Sequence, residues 1–309
     1  FTAHPRFDPV TKVGYTYGMT KNAMLAMNVY RMEPTGKLTQ LHSVPMRGFY
    51  MVHDMLLSEN YMIFVVPPVR YDFMQLASGK VTAQQALGYF EADPMKRIIL
   101  SRDGSGQPVT IEQPSNMCFH HGNAFERDGQ IVIDSMLSPD GTILNLLANF
   151  AKDKQVPYST AQLTRIVIDP AKGEIVSRTV LGDDQEFPRF DQRMAFQDAK
   201  YLYAAENGPV EDQLAFTSLV RTNHKPGDIT RIEAEPDRAL GEPVFVPHPD
   251  STLEDRGWIL QMGYDGAKDK TYLEIRDAGT LDFQARVWTH THFPLGFHGN
   301  WVAGWYIEA

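Results

Sequence analysis

Ten histidines are the residues of this 309-residue chain best equipped for chemistry. An imidazole serves two functional classes, metal ligation and acid–base or nucleophilic catalysis. A histidine taken singly is usually a surface or turn residue, but four stand in settings that separate them from the rest. His4 lies in FTAHPRFDP, His53 in YMVHDMLLSENYMIF, His120 in NMCFHHGNAFE and His298 in FPLGFHGNW. Each has apolar or aromatic neighbours and a tight-turn or small-residue signal. They follow one another at intervals of 49, 67 and 178 residues. No zinc-finger or HExxH spacing occurs, so a metal site would have to be gathered from distant elements. A β-propeller does this naturally, because the inner strands of its blades converge on one axis.

The other reactive groups carry weaker signals. His121 directly follows His120, and neighbours on a strand face opposite sides, so it is expected to pack or to sit in a loop. His290 and His292 alternate with Thr289 and Thr291 and are expected to share one strand face, which suits cavity lining and an ordinary strand equally. His248 is assigned to the turn after FVP, while His42 and His224 have no distinguishing context. Cys118 is the sole cysteine, so there is no intrachain disulfide and no thiolate cluster for zinc or iron–sulfur. Cys118 and His120 are expected to share a strand face, which leaves thiol catalysis as a minor alternative to an ordinary buried cysteine. There is no GxSxG elbow and no glycine-rich dinucleotide motif.

The elements that must position these residues read as short strands. YTYG at 15–18, AMNVYRM at 26–32, GFYMVHDMLL at 48–57, YMIFVV at 61–66, IVIDSML, RIVIDP, YLYAA, AFTSLVRT, GWILQM, TYLEIR and ARVWTHTHF are aromatic or β-branched runs. PTGK at 34–37, PAKG at 170–173, KPGD at 225–228 and DAGT at 277–280 separate pairs of them, as outer hairpin turns of a repeated antiparallel unit. Near the C-terminus two such units start about 50 residues apart, close to a propeller-blade period. A β-sandwich or jelly roll fits the same pattern. One helix is expected, with Thr82 capping AQQALGYF at 83–90. No linker divides the chain, so residues 1–309 are expected to form a single domain.

Composition narrows the partners. Hydrophobic residues make up 43% and charged residues 22%, which is a globular balance. A net charge of −9 supplies no basic field for nucleic acid. No apolar run reaches the length of a membrane span, and YMIFVVPPV at 61–69 reads as a core strand ending in a turn. The expected location is the cytoplasm, with peripheral membrane contact allowed; oligomeric state is not readable.

Six segments together carry a resemblance. TAHPR at 2–6, VHD at 52–54, FHHGNAFE at 119–126, EFPRFD at 186–191, GEPVFVPHP at 241–249 and PLGFHGNW at 294–301 match, in letters, order and spacing, the carotenoid cleavage oxygenases. That superfamily includes apocarotenoid-, retinoid- and lignostilbene-cleaving enzymes, and the resemblance covers the whole chain. It implies an all-β fold, a seven-bladed β-propeller with capping loops. It implies that His4, His53, His120 and His298 hold iron(II), Fe2+. It places Glu186 and Glu242 behind them, where a carboxylate takes the proton of a ligating imidazole's far nitrogen. Phe119, Phe187, Phe297 and Trp301 are expected as packing or tunnel residues. The family has a third such glutamate, with its early blades, before the first histidine motif. The propeller is therefore expected to be incomplete in this chain, lacking an N-terminal part.

The activity implied is dioxygenase cleavage of a conjugated double bond to two carbonyl products, in an apocarotenoid or carotenoid, with dioxygen as co-substrate. A hydroxystilbene-type (lignostilbene) substrate is the alternative within the family. Two readings outside it are a zinc-dependent hydrolase or lyase and a non-catalytic propeller that binds ligands. Four neutral imidazoles suit a divalent transition metal, whereas catalytic zinc normally uses fewer protein ligands.

Overall fold

A computed structural model describes residues 1–21, 24–83, 85–149, 156–208, 216–294 and 296–303. Among them the chain is almost wholly β, with two short helices. The first sheet is an antiparallel meander of β1 (Arg6–Phe7), β2 (Gly14–Lys21), β3 (Leu25–Met32) and β4 (Leu38–Pro45). In the second, β5 (Leu56–Leu57) and β6 (Tyr61–Val66) precede a side hairpin of β7 (Val69–Tyr71), α1 (Phe73–Ala77) and β8 (Leu87–Tyr89). The sheet then resumes with β9 (Met95–Ser101) and β10 (Val109–Gln113). The third holds β11 (Met117–Arg127), β12 (Gln130–Ser138), β13 (Gln162–Asp169) and β14 (Glu174–Gly182), with α2 (Thr142–Asn149) between β12 and β13.

The last two units share one sheet. They comprise β15 (Gln185–Arg189), β16 (Leu202–Asn207), β17 (Phe216–Thr222) and β18 (Ile229–Glu233), then β19 (Arg238–Pro247), β20 (Gly257–Asp265), β21 (Lys270–Asp277) and β22 (Phe283–Trp288). A single pairing, Phe216 with Leu240, joins them. Five four-stranded units are thus present among the described residues. Their first strands β5, β11, β15 and β19 neighbour one another in series. The all-β, propeller-type expectation holds, and the four outer turns fall where the sequence puts them, between the last two strands of their units.

Period-two side-chain alternation explains why these strands read as continuous apolar runs. In β6, Met62 and Phe64 face the first unit and pack with Tyr15, Tyr17, Met27 and Val29. Ile63 and Val65 face the third unit and pack with Ile131, Ile133 and Ile166. The second sheet is buried on both faces because it is sandwiched between the first and third units.

Three expectations need correction. The helix at 83–90 does not form. Thr82 does exchange cap contacts with Gln85, at 2.9 Å and 3.2 Å. The chain then passes into β8, whose ladder with β7 satisfies 87–89, and Gly88 weakens any helical competitor. Residue 84 lies outside the described residues. The stretch 48–57 is a strand only at Leu56–Leu57, and residues 51–55 are irregular. Finally, β22 stops at Trp288, so His290 and His292 do not share a strand face.

Candidate metal centre

The four singled-out histidines meet. His120 stands on β11, where the ladder to β12 shifts register between Cys118 and His121. His4 precedes β1, His53 precedes β5 and His298 follows β22, all on irregular backbone. The Nε2 atoms of His4 and His53 lie 3.2 Å apart, as do those of His120 and His298. The four donor atoms all lie within 4.8 Å of one another. With metal–nitrogen bonds of about 2.1 Å, adjacent donors on one ion stand about 3 Å apart, so this set fits a single cation. An all-imidazole set suits a divalent first-row transition metal.

Two rings are fixed from behind. Glu186 Oε2, on β15, accepts from His120 Nδ1 at 2.6 Å, which leaves the Nε2 lone pair facing the cluster. The same oxygen accepts from Phe187 N–H at 2.8 Å. Glu242 Oε1, on β19, accepts from His298 Nδ1 at 3.3 Å, and its Oε2 accepts from Gly299 N–H at 2.9 Å. Arg189 grips Glu242 with two bonds of 2.9 Å and reaches Gly299 O at 2.6 Å. Glu186 and Arg189 share β15, whose pairing with β16 shifts between them. Phe187 there has φ 59°, a left-handed backbone unusual for a bulky residue.

Burial keeps His4 and His53 available as neutral donors. Burial pushes His4 and His53 down to about 4, and neighbouring imidazoles add to it. Burial also opposes charge on His120, but the Glu186 carboxylate outweighs it and shifts that imidazole upward. Burial would raise Glu242, yet hydrogen bonds from His298 and Arg189 hold it down to about 2.

Sequence reasoning missed Arg6, Asp54 and Arg189. Asp54 is 2% exposed and pairs with Arg6 at 2.6 Å. The only signal was that each lies within three residues of a singled-out histidine or glutamate, inside the segments TAHPR, VHD and EFPRFD. Among the described residues, no carboxylate is hydrogen-bonded to the ring of His4 or His53.

The remaining candidates divide. Phe119 lies edge-on to His53, with centroids 5.4 Å apart, and buried Phe187 packs on His120 at 5.2 Å and His298 at 5.5 Å. Phe297 and Trp301 are 60% and 54% exposed. Trp301 borders a cavity of about 580 Å³ that His4, His120 and His298 also line, and Phe297 does not. His121 bonds Ser135 Oγ at 2.9 Å, away from the cluster. Cys118 Sγ lies 3.8 Å from His121 Nδ1, because the bulge breaks the alternation that would have set it beside the His120 ring. His42, His224, His248, His290 and His292 lie outside the cluster.

Comparison with known proteins is consistent across sequence and structure. The family model described as retinal pigment epithelial membrane protein matches residues 1–303. The chain is 26% identical to apocarotenoid-15,15'-oxygenase of Synechocystis, covering 97% of this chain and 63% of that protein. It is 26% identical to resveratrol cleavage oxygenase 1 of Aspergillus fumigatus, covering 98% and 65%. The crystal structure of cobalt-substituted Synechocystis apocarotenoid oxygenase superposes with a TM-score of 0.86 at 25% identity, over 97% of this chain and 64% of that one. The chain thus spans under two thirds of the length of these relatives.

Proposed function

The chain belongs to the retinal pigment epithelial membrane protein family, and on that premise we propose that it carries the iron(II) site of an alkene-cleaving dioxygenase. The proposed reaction converts a disubstituted conjugated alkene and dioxygen into two carbonyl compounds. Both oxygen atoms enter the products, and no external reductant is consumed. The observation that carries the reading is the convergence of four imidazole donors within 4.8 Å. Iron(II), when bound there, supplies the redox chemistry that lets dioxygen react with an electron-rich double bond.

The chain's own residues have three tasks in this reading. His4, His53, His120 and His298 present neutral nitrogen donors. Glu186 and Glu242 hold the far protons of His120 and His298, fixing tautomer and ring angle, and their charge moderates that of a dication. Phe119 and Phe187 pack the ring faces and keep water from them.

An apocarotenoid or carotenoid is the proposed substrate class, supported by the similarity to the Synechocystis enzyme. Similarity to the Aspergillus enzyme favours a hydroxystilbene as the second reading. No described helix is long and apolar enough to cross a membrane. The test is aerobic incubation of iron-loaded protein with a panel of apocarotenoids and hydroxystilbenes, with products identified by mass. Two carbonyl fragments per substrate are expected. Stoichiometric zinc in protein purified without added metal, with no iron-dependent oxygen uptake, would sink the reading.

A further inference from the structure

Among the described residues, two of the four imidazoles have a carboxylate behind them and two do not. His120 and His298 are held through Nδ1 by Glu186 and Glu242. Among the described residues, the only hydrogen-bond contact of the His4 and His53 rings is the one with each other. Both also sit on backbone that belongs to no ladder. Within the described residues, neither a carboxylate tether nor strand pairing sets where these two rings point.

Asp54 and Arg6 are placed to do this. Asp54 Oδ2 accepts from Arg6 Nη2 at 2.6 Å and from His121 N–H at 3.0 Å, and Oδ1 accepts from Met55 N–H at 2.7 Å. Arg6 also donates from Nε to Met55 O at 2.8 Å and from Nη2 to His121 O at 3.1 Å. The residues joined are two past His4, one and two past His53, and one past His120. Three hydrogen bonds to the Asp54 carboxylate and two more from Arg6 therefore tie together the three segments that bear these histidines. Asp54 is buried with both carboxylate oxygens engaged, so removing Arg6 would strand its charge away from water.

We propose that the Arg6–Asp54 ion pair is a positioning device for the metal site, registering His4, His53 and His120 through their backbones. Arg6 and Asp54 touch no metal ligand atom, so they act through other residues. The inference rests on the four-histidine reading of the centre.

The test uses the full chain, with cobalt(II) alone as a spectroscopic and calorimetric probe. Four proteins are compared: wild type, Asp54→Asn, Arg6→Met and the ligand control His120→Ala. Asp54→Asn and Arg6→Met should keep the far-UV β signature but bind cobalt about 10–100-fold more weakly, the range seen when groups supporting metal ligands are removed. Their visible cobalt bands should shift, which a purely structural role would not produce. Should either single variant be too unstable to purify, the double variant Arg6→Met/Asp54→Asn removes both charges together and carries the same expectation. Wild-type affinity and bands in these variants, with binding lost in His120→Ala, overturns the inference alone. A wild-type protein that binds no cobalt, or a His120→Ala that binds it normally, overturns the four-histidine reading and this inference with it.

Discussion

Glu186 Oε2 serves two donors at once, the His120 ring and the Phe187 amide. That double use fixes the carboxylate, and the fixed carboxylate fixes the imidazole. Replacing Glu186 by Gln keeps the shape but removes the charge that strengthens His120 as a ligand. Metal affinity should fall about 10–100-fold, measured by calorimetry, and an unchanged affinity would refute the role. At this scale the candidate ligands His4, His53, His120 and His298 and the carboxylates Glu186 and Glu242 were legible through the short runs of distinctive letters that hold them. Arg6, Asp54 and Arg189 were not legible as a network, because their partners lie 48 and 53 residues away. Two opposite charges at such separation leave no local pattern. Phe297 shows the converse: its neighbour His298 joins the cluster, yet its own ring faces solvent.

Strand positions were readable because alternation and turn residues are local signals. The outer hairpins at 34–37, 170–173, 225–228 and 277–280 each announced themselves through a glycine and, in three cases, a proline. The helix at 83–90 misled because a genuine cap was followed by residues whose hydrogen bonds go to β7. The irregular 51–55 was unreadable because its Asp54 pairs with the distant Arg6, a contact that leaves no local signal. One element makes a sharp demand on composition. Gly263 on β20 lies opposite Tyr272 on β21. A Cβ at Gly263 would meet that ring at 2.3–2.6 Å. Tyr272 is buried and cannot swing clear, with the guanidinium of Arg286 4.8 Å from its ring centroid. Gly263→Ala should therefore destabilise by on the order of 1–3 kcal/mol in denaturant unfolding, the usual cost of overpacking.

Across the molecule, the candidate centre draws on every unit. His4, His53 and His120 belong to the first three, Glu186 to the fourth, and Glu242, which holds His298, to the fifth. Charge pairs between units add to this. Asp8, after β1, meets Arg102, after β9, at 2.8 Å. Burial alone would raise the Asp8 carboxyl, but amide donors from Thr11 and Val10 and the Arg102 guanidinium hold it at about 2 rather than 3.8. A carboxyl lowered on folding contributes stability that is fully present above its unfolded value and lost as pH falls through its folded one. Asp8→Asn should thus unfold at lower temperature than wild type at neutral pH, and that gap should close as pH drops from about 4 to about 2. A gap constant across that window would show that the charge of Asp8 contributes nothing. The number of units on the axis was not legible, since the repeat is carried by burial pattern and turn placement rather than by recurring letters.

Glu186 and Arg189 lie three residues apart on β15, with a shift in its pairing between them, and reach different partners. This makes the chain unequally tolerant of changes in length. A peptide tag spliced into any of the four rim hairpins lengthens a loop at the outer edge of its unit and leaves the axis untouched. A single residue added between Glu186 and Arg189 would rotate one of them to the wrong face, freeing either His120 or the segment bearing His298. In this chain, spacing is a specification at the axis and a free variable at the rim.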